Sequence, residues 1–132
     1  NTGVCTVTTE EHNYYSWTGN ATNDYDIWTR WQVPSDFSAL IATNPIVFNG
    51  WRTSASAGTS VTLTIYNPDG TACGTATPIS GTVATWNSTN YTNGACAPTA
   101  GNFLLLRTTL SVGVNSEFAR IGEIEINYFA KF

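Results

Sequence analysis

Apolar side chains in this chain recur at every second residue, and no stretch sustains the 3.6-residue period of an amphipathic helix. In residues 25–33, Tyr25, Ile27, Thr29, Trp31 and Val33 fall on one parity, Asp26, Trp28, Arg30 and Gln32 on the other, and Pro34 ends the run. A period of two puts alternate side chains on opposite faces of a strand, which confines the chain to β architectures that bury one face. Further runs at 5–9, 13–17, 46–54, 60–66, 81–86, 103–111 and 118–128 bring the expectation to about eight strands.

The separators carry turn chemistry. Asn67-Pro68-Asp69-Gly70 is the sharpest, since Pro presets φ and Gly closes the turn, and it predicts a hairpin from the strand ending at Tyr66 to a short strand near Ala72. Residues 35–42 place Phe37, Leu40 and Ile41 at near-helical spacing behind the candidate caps Ser35 and Asp36, which predicts one short helical turn. In 103–112, Leu104, Leu106, Leu110 and Val112 mark a buried face opposite Phe103, Leu105 and Arg107. Two apolar faces on one strand point to a central position or an oligomer contact. In the last run Ala119 and Ile121 have the opposite parity to Ile124 and Ile126, and a bulge at Gly122 would bring both pairs into the core.

About eight antiparallel strands with short loops in 132 residues fit a single domain over residues 1–132, an all-β, two-sheet antiparallel sandwich of jelly-roll type. An immunoglobulin arrangement fits less well, because Cys73, Trp86 and Cys96 are crowded together rather than spread across the core. Cys73 and Cys96 lie in Gly/Thr/Ala-rich turn sequence flanking one Trp-containing segment and are expected to form a disulfide. Cys5 is then left free, buried or joined to another molecule. Cysteine pairing, together with 22 Thr, 13 Asn and a single Lys, favours an extracellular, cell-surface or virion setting. The chain starts at Asn1 rather than Met, which on this reading means that a leader, propeptide or upstream domain is missing.

Composition narrows the function classes. A net charge of −4 with one Lys and four Arg does not supply the clustered cations of a nucleic-acid surface, and no apolar run is long enough for membrane insertion. Catalytic motifs with nucleophile, P-loop or HExxH spacing are absent, so no enzymatic activity and no catalytic residue are expected. His12 is the only histidine and neighbours Glu10 and Glu11, a pattern read as a solvated, charged strand end. Glu123 and Glu125 share a strand face with Cβ atoms roughly 6.5–7 Å apart, the one arrangement that hints at glycosidic cleavage. Cross-strand pairing with Arg30, Arg52, Arg107 and Arg120 accounts for them more simply. Asn23, Asp24 and Asp26 offer hard oxygen ligands at a loop-to-strand junction and form a candidate structural calcium site. Asx capping of a turn explains the same residues, and no other cofactor is expected.

Aromatic residues supply the binding chemistry. Five Trp and six Tyr are many for this length; most should fill the core, but Trp28 and Trp31 lie on opposite parities, so at most one of them is core. Trp28, Tyr25 and Trp51 are the candidate glycan-binding rings. The sequons at Asn20, Asn87 and Asn90 would mark exposed loops.

The blocks YDIWTRWQVPSDFSAL, TSVTLTIYNPDGTACGT and FARIGEIEINYFAKF resemble a β-sandwich module found at the ends or as repeats of phage fibre and virion proteins and of bacterial surface proteins. The resemblance runs from about Tyr14 to the end of the chain. It implies a jelly-roll-like domain used for assembly or adhesion, frequently as a homo-oligomer or filament. The leading expectation is therefore a non-enzymatic structural module of a fibre, virion or appendage that associates with itself, residues 1–9 pairing with a neighbour's sheet edge. The alternative is a carbohydrate-binding module that engages a glycan or cell-surface receptor through exposed aromatics.

Overall fold

A computed structural model describes residues 12–19, 24–56, 58–92 and 96–132. Segment 1–9 and Cys5, the sequon at Asn20, and Asn23 of the calcium candidate lie outside the described residues. The described residues form ten strands and no helix: β1 (Tyr15–Trp17), β2 (Asp24–Gln32), β3 (Phe37–Leu40), β4 (Ile46–Arg52), β5 (Ser60–Tyr66), β6 (Thr77–Pro78), β7 (Trp86–Asn90), β8 (Phe103–Ser111), β9 (Ala119–Ile126) and β10 (Tyr128–Ala130).

Two four-stranded sheets, in the orders β1-β9-β4-β7 and β2-β8-β5-β6, face each other, and a third pair, β10-β3, closes one end. Every pairing is antiparallel. Apart from β3 and β10, the chain repeatedly crosses between the two sheets and leaves strands distant in sequence side by side, the topology of a double-sheet jelly roll.

The inner faces follow from strand parity. Leu104, Leu106 and Leu110 of β8, together with Val112, are buried against Ile46, Phe48, Ala119 and Ile121 of the opposite sheet. β8 lies between β2 and β5, a central position in its sheet, and its second apolar pair, Phe103 and Leu105, is half-buried on the outer face. The bulge expected at Gly122 is present: Phe48 pairs with Ile124 and Gly50 with Ile121, leaving Gly122 and Glu123 opposite Asn49 alone. Through that one-residue slip both Ala119/Ile121 and Ile124/Ile126 face the core cluster. Gly50 is required by close packing between the sheets, since a Cβ there would lie 2.4 Å from Ile79 Cγ1.

Cys73 and Cys96 form the expected disulfide, which ties the hairpin after β5 to the segment before β8. The Asn67–Gly70 turn is also as expected. Asn67 N donates to Thr71 O at 2.9 Å, Gly70 adopts φ 83°, and Tyr66 bridges to Ala72.

Two elements differ from the sequence expectation. Residues 35–42 do not form a helical turn; Phe37–Leu40 is a strand on β10, with Tyr128 opposite Leu40 and Phe129 opposite Ala39. Phe37 is buried next to Trp31 and Tyr128, at ring separations of 6.3 and 5.6 Å. Tertiary pairing thus overrides a local spacing that a helix could equally have satisfied. Residues 81–85 do not form a strand either, because Gly81 (φ 112°) and Ala84 (φ 57°) hold left-handed conformations and the strand begins only at Trp86. As a result the sequon residues Asn87 and Asn90 sit in edge strand β7 rather than in a loop. The Asn87 amide is occupied, donating to Thr82 O at 2.7 Å and Thr85 O at 3.0 Å.

Candidate functional site

The register of β2-β8-β5 determines what the outer face of the second sheet presents. Trp28 pairs with Arg107 and Arg107 with Thr64, so one row crosses three strands. The next row is Arg30, Leu105 and Tyr66, and the row on the other side is Asp26, Thr109 and Thr62. Val61, Leu63 and Ile65 have the opposite parity and are buried in the core, which turns this set outward.

At the centre of the face Trp28 is 55% exposed. Its ring centroid lies 5.5 Å from that of Tyr66, at an interplanar angle of 34°. The Arg107 guanidinium lies over both rings, 5.8 Å from the Trp28 ring and 5.5 Å from the Tyr66 ring, within cation–π range. Beside it on β5, Thr64 is buried, and the Arg107 Nε is buried with no hydrogen-bond partner among the described residues. Hydrogen-bonding groups frame the rings. Thr109 Oγ1 donates to Asp26 Oδ1 at 2.6 Å on one side. On the other side Arg30 Nη2 donates to Gln32 Oε1 at 3.2 Å while its guanidinium stacks on Phe103 at 4.2 Å. Among the described residues the surface has no pocket, so a ligand of this face would lie across it.

Of the three rings proposed from sequence, only Trp28 belongs to this face. Tyr25 has the inner parity, opposite Leu110, and stacks on Trp17 at 5.0 Å and 16°, closing the side of the sandwich where β1 and β2 run along its margin. Trp51 is a correction. It points outward from the first sheet, yet it is only 7% exposed, because the Arg120 guanidinium lies 4.4 Å above its ring and Trp86 stands directly opposite on β7. Tyr14 stacks on that guanidinium in turn, at 4.9 Å, so residues just before β1 roof the ring. The sequence alone does not mark Tyr66 and Arg107 as partners of Trp28. Both have outward parity, but only the pairing of β8 with both β2 and β5 brings them to it.

The acidic residues are also placed differently from the sequence expectation. No Arg–carboxylate ion pair occurs among the described residues; Arg30, Arg107 and Arg120 lie over rings instead, where a flat cation loses less hydration than an ammonium would. Glu123 instead meets His12, whose Nδ1 is 2.5 Å from Oε2, and the His12 ring packs 4.5 Å from Trp86. Burial pushes the Glu123 carboxyl upward, but its own backbone N–H, His12 and Asn49 outweigh that and hold it below the ordinary range. Asp24 and Asp26 stand exposed along β2, and among the described residues no group of three His, Cys, Asp or Glu side chains could hold a metal ion.

A second polar cluster joins two loops. Thr59 Oγ1 donates to the Glu117 carboxylate, Gly113 N donates to it at 3.2 Å, and Ser56 Oγ lies 3.4 Å away. The Thr59 hydroxyl, then Ser54, Gly113 and Ser56, lower the Glu117 carboxyl against the opposing effect of burial.

No family model matches the chain, and no curated protein matches it. A solved structure described as "Structural basis for the promiscuous specificity of the carbohydrate-binding modules from the beta-sandwich super family" is similar to it, with a TM-score of 0.49 and 12% identity over 88% of this chain and 46% of that one. The chain therefore spans less than half of that structure's length. The fibre or virion role implied by the sequence resemblance has no support in these comparisons.

Proposed function

We propose that this jelly roll is a non-catalytic carbohydrate-binding module that acts outside the cell and holds a glycan on the outer face of the sheet β2-β8-β5-β6. The observation that carries this reading is the tilted pair Trp28 and Tyr66, 5.5 Å apart on the outer sheet face and bordered by Asp26, Thr109, Arg107 and Arg30. A pyranose ring has an apolar C–H face and a polar rim. An exposed indole can bury the first while hydroxyl, carboxylate and guanidinium groups beside it meet the second. The disulfide supports an oxidising setting.

The test is affinity electrophoresis of the purified chain through gels containing soluble polysaccharides, with the Trp28→Ala variant alongside. Retardation of the native chain that is lost by a factor of about thirty or more on Trp28→Ala, with an unchanged circular dichroism spectrum, is the expected result, as befits a central Trp. If neither protein binds any glycan, or if the variant binds as well as the native chain, the assignment is wrong. A fall in mass by light scattering on Trp28→Ala, with no sugar bound, would instead make this face a contact between copies, as self-assembly requires.

A further inference from the structure

We infer that the glycan held on this face is acidic, a polysaccharide containing uronic acid, whose carboxylate is met by Arg107 and Arg30. The inference rests on the glycan reading of the same face and adds the class of sugar.

The charge layout carries it. Arg107 stands directly across the strand pair from Trp28, and Arg30 pairs with the neighbouring Leu105. The two arginines are therefore diagonal neighbours, about 7–8 Å apart at Cα. Arg107 is flanked by two rings, and Arg30 meets a ring and an uncharged amide. Neither is neutralised by a carboxylate among the described residues. Rings steer a guanidinium but leave its charge available, and an arginine fork is shaped to receive a carboxylate through two parallel N–H donors.

The acidic groups of the face lie at its other end, Asp24 and Asp26 opposite Ser111 and Thr109. Asp26 is turned toward the Thr109 hydroxyl. The face is thus polarised along β2, acidic before Trp28 and basic after it. In a chain of net charge −4 that carries only four Arg, two of them stand unneutralised beside its most exposed tryptophan.

Ring chemistry selects the uronate over a sulfate ester. In a pyranuronate the carboxylate is bonded directly to a ring carbon, so a ring stacked on Trp28 carries the charge at its own rim, where Arg107 sits. A sulfate on an ester oxygen stands further off and rotates.

The experiment compares binding of the intact chain to polygalacturonate, to the same polymer after reduction of its carboxyls, to neutral galactomannan, and to carrageenan, a sulfated galactan without uronate. Polygalacturonate should bind best. Its affinity should fall about tenfold to hundredfold on carboxyl reduction or on Arg107→Gln, less on the exposed variant Arg30→Gln, and should decline as salt rises. Arg107→Lys, which keeps the charge and loses the fork, should retain an intermediate affinity and guards against a folding artefact in the glutamine variant. Equal binding of the reduced polymer or galactomannan, or tighter binding of carrageenan, would overturn the uronate assignment while leaving the glycan site standing. Binding to none of the four would remove both.

Discussion

Replacing Gly50 tests the packing that turns the Trp28 face outward. Gly50 lies on the inner side of β4, and a Cβ there would sit 2.4 Å from Ile79 Cγ1, 3.1 Å from Ile79 Cδ1 and 3.3 Å from Val61 Cγ1. Relief requires a movement of about 1 Å, since carbon atoms pack at about 3.5–4.0 Å. Ile79 cannot easily retreat, because Cγ1 is close to its backbone and Ile79 N donates to Val61 O at 2.7 Å. Overpacking of this kind costs about 1–3 kcal/mol. With an unfolding entropy of about 0.28 kcal/mol/K for 132 residues, Gly50→Ala should lower the melting temperature by about 4–11 °C. Ile79→Ala alone should cost about 2–5 kcal/mol through the cavity it leaves. In the double variant the methyl group added on β4 enters that space, so the two costs should fall short of additivity by at least about 1 kcal/mol. The measurement is a double-mutant cycle by guanidinium denaturation at constant m. A neutral Gly50→Ala, or strictly additive costs, would mean that β4 and the Ile79 segment do not meet across the sandwich.

Replacing both Cys73 and Cys96 with alanine should cost about 3 kcal/mol by the chain-entropy model for a bridge spanning 23 residues, read as an earlier denaturation midpoint; an unchanged midpoint would contradict the cross-link. Glu117 titrates below its ordinary value of 4.5 when folded, chiefly through the Thr59 hydroxyl, so its contribution is present above pH 4.5 and is lost as pH falls through the lower folded value. Melting temperatures from pH 7 to pH 3 should therefore fall less steeply for Glu117→Gln than for the native chain, and identical slopes would show that the two loops are not joined through this carboxylate.

Much of the sandwich is legible in single residues. The buried parity of β8, the Gly122 bulge and the Asn67–Gly70 turn each follow from local chemistry, and the structure has all three. What parity cannot give is which strands are neighbours. Trp28 reads as outward-facing from β2 alone, but Tyr66 and Arg107 join it only because β8 lies between β2 and β5. Trp51 shows the converse: its parity is outward, yet Arg120 and Trp86 cover it from distant strands. The missed arginine partners have the same origin, because alternation places Glu123 and the arginines on strands without saying that the nearest flat surfaces are rings. Phe37 and Leu40 fit a helical turn as well as a strand until Tyr128 is known to lie opposite.

The glycan face itself is tested most directly by nitrogen-15 correlation spectra of the indole N–H groups during separate titrations with a soluble oligogalacturonate and with a neutral galactomannan oligosaccharide. The five Trp residues report from different places: Trp28 on the outer face of the second sheet, Trp51 and Trp86 on the first, Trp17 at the side and Trp31 at the β3-β10 end. The Trp28 signal should shift in a saturable manner, while the Trp51 and Trp86 signals stay in place. Shifts centred on Trp51 and Trp86, or none at any indole as either sugar is added to the millimolar range, would contradict the account.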